Sequence, residues 1–169
     1  AIAIASEAIS QISQGHVDEE TTCNIGLIEG GSGTNIVPEK CTVKGEIRSY
    51  SHEKAIHCVE KVGNTFKKVA EKYGAESELI YEVHLIAYET AKDSVPVKRF
   101  ERVSKELGLA GDLVETFGGS DNNSFAKNGI PGLVLSNGLY QAHSVNEYTT
   151  IKDLVTGAEL IAGLITDEQ

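Results

Sequence analysis

The chain has 169 residues, of which 40% are apolar and 24% charged, and its formal net charge is -10. No apolar run approaches the ~20 residues of a membrane span, and no Lys/Arg stripe offsets the negative charge, which argues against membrane and nucleic-acid binding. We therefore predict a soluble globular protein, of one domain or two small ones, whose partner is a small molecule.

The cysteines are odd in number and form no CxxC pair, which argues against a disulfide framework and a structural zinc knuckle. They are Cys23, Cys41 and Cys58. This pattern fits a reducing cytoplasm. The N-terminus has no initiator methionine and no signal-peptide pattern, and its apolar residues recur at helical spacing. We therefore expect the chain to begin inside a helix and to be a piece of a longer protein.

The first half of the chain has the order helix, strand, strand, helix, strand. We predict a first helix from Ala1 to Gln14, closed by Gly15, then a polar loop "GHVDEET". A hairpin of "TCNIGLIEGG" and "CTVKGEIRSY" follows, around a glycine-rich turn. Ser51 is the predicted N-cap of a long amphipathic helix that ends at Gly74, and "SELIYEVHLIAYE" alternates like a strand. This order is a split βαβ sandwich without its first strand.

Helices and strands alternate in the second half. We predict a helix at Val97–Leu107, a strand near Asp112–Phe117, a short helix within "GGSDNNSFAKNGIP", a buried strand "GLVLS", and a last helix from Thr150 to Ile165. Such alternation is typical of an α/β domain with a mostly parallel sheet, here an incomplete one. The predicted fold class is therefore α/β, with an α+β first domain at residues 1–93 and a second domain at residues 94–169.

The glycine cluster "EGGSGTNIVP" lacks the GK[ST] ending of a phosphate loop and opens no helix, so we interpret it as a turn. Asn35 and Arg48 lie at the two ends of the hairpin's second arm. An amide together with a guanidinium is a suitable pair for holding a carboxylate. The hairpin is therefore a candidate substrate-binding element.

Other histidines and acids in this half fit a metal site poorly. His52 and His57 are five residues apart, so on a helix they point ~140° away from one another rather than to one ion. The acids at 18–20 are typical of a solvated loop, and His84 lies in an alternating strand as an outward polar residue. We reject the pair of His52 and His57 as a metal site, and we favour a structural interpretation over a ligand role for the other groups.

Two loops of the second half follow predicted strands, where open α/β folds bind their ligands. The amides of Gly119, Ser120 and Asp121 can point together at an anion. The alternative is a tight strand-to-helix turn with Ser120 or Asp121 as N-cap. The second loop, "LYQAHSVNEY", contains His143, which in isolation is more often an ordinary surface histidine.

The stretches "NIVPEKCTVKGEIRS", "FGGSDNNSFAKNGIPGLVLSNG" and "AHSVNEY" resemble, in this order, the second half of a peptidase T-like tripeptide aminopeptidase. That family belongs to a zinc-dependent superfamily with the aminoacylases and carboxypeptidase G. The resemblance covers essentially the whole chain. It implies that residues 1–93 are a lid with a split βαβ sandwich and residues 94–169 the C-terminal part of the catalytic domain, with two zinc ions between them in the complete enzyme.

The resemblance also implies roles for individual residues. His143, in an H-x-x-N-E motif, matches the family's last metal ligand. Asn35 and Arg48 match lid residues that hold the substrate's carboxylate or stabilise the reacting carbonyl. Gly119 and Ser120 match a loop that contacts the substrate's terminal group. The implied reaction is metal-dependent hydrolysis of a peptide bond with a glutamate as general base. Lids of this type form homodimers in some relatives and not in others.

The family's other metal ligands have no counterpart in this sequence. Its H-x-D motif, bridging aspartate, Glu-Glu pair and further acidic ligand belong to the N-terminal half, and the acids at 18–20 fall on the lid's side. Because zinc needs three or four protein ligands, we expect this chain alone to be inactive. The favoured function is a cytoplasmic zinc metallopeptidase acting on short peptides. The alternatives are an N-acyl-amino-acid amidohydrolase of the same superfamily and a non-catalytic binding or dimerisation module.

Overall fold

The structure is a computed structural model that describes residues 1–136 and 138–167. It divides into two compact units, Ala1–Ala87 and Tyr88–Gln169, whereas the boundary predicted from the sequence lies after Asp93. Helices combine with an antiparallel three-stranded sheet. This mixture of helices and strands, α+β in the first unit, confirms the predicted fold class.

The sheet of the first unit has the strand order β1-β2-β3, with each pair antiparallel. Its strands are β1 (Gly15–His16), β2 (Thr21–Gly30) and β3 (Cys41–Ser49). The β2–β3 pair is the predicted hairpin. β1 lies in the segment predicted to be a loop, because two residues are too few for any periodic pattern to show.

A close approach inside the hairpin explains the glycine in β3. The register shifts between Ile25 and Leu27, which is the signature of a β-bulge, and Gly45 pairs with Ile25 beside it. A Cβ atom on Gly45 would lie 2.5 Å from the carbonyl oxygen of Asn24. Only glycine fits at this position without moving the backbone.

Two helices pack in this unit, α1 (Ile2–Ser10) and α2 (His52–Lys72). α2 agrees with its prediction, since the Ser51 hydroxyl accepts from the amide of Lys54 and Gly74 has a left-handed φ of +66°. α1 ends four residues before the predicted Gln14, because the chain already turns there into β1. The buried residues are mostly small: Ala5, Ala8, Thr21, Cys23, Cys58, Val69 and Ala70.

The predicted strand "SELIYEVHLIAYE" is not formed: residues 77–89 belong to no sheet in the described structure. Five of its apolar side chains are 45% or more exposed, namely Leu79, Ile80, Tyr81, Val83 and Leu85. In a split βαβ sandwich the last strand is hydrogen-bonded to the first strand, and the pattern of this chain contains no such strand. An alternating segment without a neighbour has no ladder to join.

The second unit contains the helices α3 (Val95–Glu106), α4 (Asn122–Lys127) and α5 (Ile151–Thr166), all close to their predicted positions. α3 packs on α5, and the buried residues are Val97, Val103, Ser104 and Leu160. Beyond the end of α5, the mostly buried carboxylate of Asp167 pairs with Arg99 and Arg102 of α3, the Arg102 Nε lying 3.1 Å from Oδ1. The Arg102 guanidinium lowers the pKa of Asp167.

The two strands predicted for this unit are absent from its described residues. Val114 and Val134, in the middle of the two segments, are 82% and 54% exposed. A strand of a parallel sheet needs a bonded neighbour and covered faces, and these segments do not pair with each other. The carbonyl of Gly132 instead accepts from the side chains of Thr90 and Asn122. In the part of the chain that the structure describes, no helix combines the length and apolarity needed to cross a membrane.

Two glycines of α5 test how tightly it packs on α3. A Cβ on Gly163 would lie 2.6 Å from Cγ1 of the buried Val103, a stiff β-branched side chain, whereas one on Gly157 would meet nothing within 4 Å. We expect Gly163→Ala to lower the free energy of unfolding by about 1–3 kcal/mol through overpacking. Gly157→Ala, the matched control, should raise it by up to about 1 kcal/mol through helix propensity. Denaturant melts of the two variants measure both; equal effects would contradict the packing.

Candidate functional site

The hairpin holds Asn35 and Arg48 far apart. Asn35 lies in the middle of the loop of residues 31–40, beyond the Gly30–Cys41 pair that ends the hairpin ladder, whereas Arg48 pairs with Thr22 near the other end of β3. At ~3.3 Å per residue, the seven steps from Cys41 to Arg48 span ~23 Å. Within one hairpin, the two side chains therefore do not hold the same carboxylate, contrary to the simplest interpretation of the sequence.

Arg48 lies on the polar face of β3, on the same side as Lys44 and Glu46. Its Nε is 2.5 Å from Oε1 of Glu46, and this hydrogen bond raises the pKa of Arg48. Half-exposed ion pairs of this kind contribute at most about 1 kcal/mol to stability. The pair therefore orients the guanidinium on the polar face and leaves it fully charged.

The segment before α4 is a tight turn rather than an open anion site. The Ser120 amide donates to Oδ1 of Asn123 over 2.9 Å, and the Ser120 hydroxyl accepts from the amide of Asn122 over 3.2 Å. Short polar side chains often satisfy nearby backbone groups in this way. Because the Ser120 amide is already bonded, the predicted cluster of Gly119, Ser120 and Asp121 amides does not converge on one anion here. The segment is a turn that leads into α4, as in the alternative interpretation, but no strand precedes it in the described residues, and Asp121 at the N-cap makes no side-chain capping bond.

His143 lies in a closed ring formed by residues 140–148. Tyr140 and Tyr148 exchange two backbone hydrogen bonds of 2.9 and 3.2 Å, and their phenol rings stack with centroids 4.9 Å apart. His143 is exposed and has a left-handed φ of +65°, and Gln141 has φ +51°. Two non-glycine residues in this region within three positions make the ring strained.

Hydrogen bonds inside the ring hold this conformation. The amide of His143 donates to Oε2 of Glu147 over 2.7 Å, the length of a charge-assisted bond. The amide of Ser144 donates to the carbonyl of Gln141, and the amide of Glu147 donates to the carbonyl of Ser144. These turns place the Glu147 carboxylate under the His143 backbone.

The ring is also attached to the start of α5. The phenol of Tyr140 interacts with the carboxylate of Asp153, whose negative charge is the main cause that raises the pKa of Tyr140. Asp153 is itself fixed, because its amide donates to the Thr150 hydroxyl that caps α5. Gly138, with φ +68°, passes so close that a Cβ would lie 2.4 Å from Cβ of Asp153. The stacked tyrosine pair was not predicted from the sequence, although two aromatic residues flank the histidine motif there.

His143 is a solitary candidate ligand. Across residues 1–136 and 138–167, no three His, Cys, Asp or Glu side chains cluster in a way that could hold a metal ion. A zinc site needs three or four protein ligands, so the residues of this chain do not by themselves fit the ion.

Comparison with known protein families finds that residues 1–74 match the peptidase dimerisation domain. Among curated proteins, the chain is 36% identical over 167 residues to the uncharacterized protein YqjE of Bacillus subtilis. That match includes 99% of this chain but 45% of the relative. The chain therefore spans less than half the length of this relative.

Three solved structures are similar to the chain. Aminopeptidase PepT of Bacillus cereus is 34% identical with a TM-score of 0.83, and a tripeptidase of Staphylococcus aureus is 33% identical with a TM-score of 0.89. Each match covers 97% of this chain and 44% of the other. YxeP of Bacillus subtilis, described as a dinuclear metal binding peptidase from the M20 family, is 21% identical with a TM-score of 0.72 over 96% of this chain and 44% of its own. At that identity, the last likeness concerns the fold alone.

The left-handed backbone conformation of His143 can be tested by substitution at this position. A left-handed conformation costs a residue with a side chain about 1–2 kcal/mol and costs glycine almost nothing. We expect His143→Gly to have a free energy of unfolding about 1 kcal/mol higher than His143→Ala, measured in metal-free protein. Equal stabilities would mean that residue 143 does not occupy this conformation in solution.

Proposed function

We propose that this chain is part of a metal-dependent peptidase. Residues 1–74 match the peptidase dimerisation domain, and the whole chain is similar to somewhat less than half of two solved enzymes, an aminopeptidase and a tripeptidase. The parent protein cleaves short peptides in the manner of a tripeptidase or aminopeptidase. The observation that carries this proposal is the match of 97% of the chain to both solved enzymes at 33–34% identity.

In this proposal residues 1–93 are the lid, and residues 94–169 are the C-terminal part of the catalytic domain. The lid joins two copies of the parent protein into a homodimer, which the match to a dimerisation domain supports. Three free cysteines support a cytoplasmic location. The chain alone is inactive, because most of the metal site comes from outside it.

His143 is the proposed contribution of this chain to a site for two zinc ions. Its imidazole is exposed on a ring attached to α5, so it can meet ligands from outside the chain. Zinc, when bound there, would supply Lewis-acid chemistry for the hydrolysis, and His143 would be one of the residues that hold it. The glutamate that serves as general base also lies outside this chain.

The other predicted site residues contact the peptide. Because β3 separates Asn35 from Arg48, we propose that they hold different groups of the substrate: a carboxylate or the reacting carbonyl for Arg48, and a second polar group for Asn35. Gly119 contacts the substrate's terminal group through its amide. The Ser120 hydroxyl donates a hydrogen bond to the substrate, because within the turn its oxygen only accepts a hydrogen bond, from the amide of Asn122.

The deciding experiment uses the full parent protein loaded with zinc. Side-by-side assays on dipeptides, tripeptides and N-acetyl amino acids separate the peptidase from the amidohydrolase, because residues that hold a carboxylate serve both substrate classes. Metal-dependent cleavage of peptides supports the proposal. Cleavage of acyl amino acids alone would make the protein an amidohydrolase, and no cleavage of either would favour a non-catalytic module.

We expect His143→Ala in the parent protein to abolish peptide cleavage and to remove one of the two metal ions at equilibrium, since a lost ligand leaves that ion under-coordinated. Metal content by atomic absorption and initial rates on a tripeptide are the measurements. His57→Ala, which removes an exposed imidazole from α2, is the matched control and should change neither. A near-normal rate for His143→Ala would remove this residue from the site.

Arg48→Ala should lower kcat/KM by up to ~10²–10³-fold, the scale of one preorganised donor to developing charge. Lys44→Ala removes a cation from the same face of β3, four residues away, and serves as the control. Steady-state kinetics on one tripeptide measure both variants. If they lose equal activity, Arg48 acts only through the charge of the face and not through a specific contact.

A further inference from the structure

We propose that Glu46 is a positioning residue for Arg48: it holds the guanidinium in one place on the polar face of β3, where the guanidinium binds a group of the peptide. The inference rests on the proposed function, because it concerns a residue proposed to bind the substrate. It goes beyond that function by assigning a role to Glu46, which the motif match leaves open. Glu46 acts through Arg48 and does not itself contact the peptide.

The contact between the two side chains restrains most of Arg48. Glu46 and Arg48 are two residues apart on a strand, so their side chains stand on the same face, ~6.6 Å apart along it. Oε1 of Glu46 lies 2.5 Å from Nε of Arg48. Because the first three side-chain torsions of an arginine determine where Nε lies, this contact restrains all of them. Of the two cations beside Glu46 on this face, Lys44 and Arg48, the structure pairs it with Arg48.

The backbone that carries Glu46 is itself held against β2. Glu46 is opposite Asn24, and the preceding residue, Gly45, lies beside the β-bulge. Gly45 approaches the carbonyl oxygen of Asn24 so closely that a Cβ atom would lie 2.5 Å from it. Bulges often direct a side chain near a functional site. Glu46 is therefore attached to a strand, which holds a side chain more accurately than a loop does.

A long side chain such as that of Arg48 benefits from restraint before the substrate arrives. An arginine loses rotamer freedom when it binds its partner, and this loss lowers the affinity. Because the ion pair already restricts Arg48, less freedom is lost on binding. A guanidinium has five N–H donors, so Arg48 can hold Glu46 and a carboxylate or carbonyl of the peptide together. The side chains of Arg48 and Glu46 are 48% and 63% exposed, so the restraint is partial and its effect modest.

The charge of Glu46 has a second effect, of opposite sign. A carboxylate beside Arg48 repels a negative group of the peptide, so removal of the charge alone favours binding. Positioning and repulsion therefore predict opposite results for Glu46→Ala. Glu46→Gln separates them further, because it removes the charge and keeps an oxygen that accepts a hydrogen bond from Nε of Arg48.

The test compares Glu46→Ala and Glu46→Gln in the full parent protein by steady-state kinetics on one tripeptide. We expect Glu46→Ala to lower kcat/KM by ~3–10-fold, the scale of the rotamer freedom that Arg48 regains. The loss should fall on the same constant, kcat or KM, that Arg48→Ala changes. Glu46→Gln should recover most of it. Glu29→Ala, the matched control, removes an exposed carboxylate from the same face of the hairpin, opposite Thr42, and should leave kcat/KM unchanged.

A double-mutant cycle shows whether Glu46 acts through Arg48. In a protein that already carries Arg48→Ala, the further change Glu46→Ala should not alter kcat/KM, because the side chain that it positions is gone. An equal loss with and without Arg48 would overturn the inference, since Glu46 would then act on the peptide or on the fold. Because the pair is exposed, we expect every variant to keep the melting curve of the wild type.

Two more results would overturn the inference. An unchanged or raised kcat/KM in Glu46→Ala would mean that repulsion outweighs positioning. Equal losses in Glu46→Gln and Glu46→Ala would mean that the negative charge itself is needed. If the wild type cleaved no peptide, or if Arg48→Ala left kcat/KM unchanged, the proposed role of Arg48 would fail together with this inference. A loss in Arg48→Ala without a loss in Glu46→Ala would remove the inference alone.

Discussion

Backbone hydrogen bonding between neighbouring strands decides which parts of this chain become sheet. β2 and β3 bond to each other over almost their whole length, and α1 and α2 pack against this hairpin. Segments of similar apolar pattern elsewhere, such as residues 77–89, have no described neighbour and leave their side chains exposed. An alternating sequence gives a strand one apolar face that can be buried, but the backbone hydrogen bonds of a sheet need a second strand beside it.

The core of the first unit depends on small residues at the places where helices meet the sheet. Ala5 and Ala8 of α1 are buried, and so are Cys23 of β2 and Cys58 of α2. Burial raises the pKa of both thiols, so they remain protonated and pack as small apolar groups rather than as nucleophiles. The free energy gained per buried residue is modest, because alanine and cysteine remove little apolar area from water.

The elements that could be predicted from the sequence are those determined by residues close together in the chain. The starts of α2 and α5 follow from the caps Ser51 and Thr150, whose side chains each accept a hydrogen bond from the amide three residues later. The hairpin follows from apolar and polar residues that alternate on both sides of a glycine-rich turn. The unformed strands were wrong predictions because pairing depends on residues far away in the sequence. The ring around His143 was not predicted, because left-handed residues without glycine give no signal in a sequence.

The candidate site shows the same division between local and distant causes. The polar sequence around His143 correctly predicted a loop, whereas the backbone strain, the hydrogen bond to Glu147 and the interaction of Tyr140 with Asp153 are properties of the folded chain. A strained ring is costly for a surface loop that does nothing more than connect two elements. Gln141 and His143 both occupy the left-handed region, so the strain belongs to the loop of residues 140–148 as a whole and not to the histidine alone.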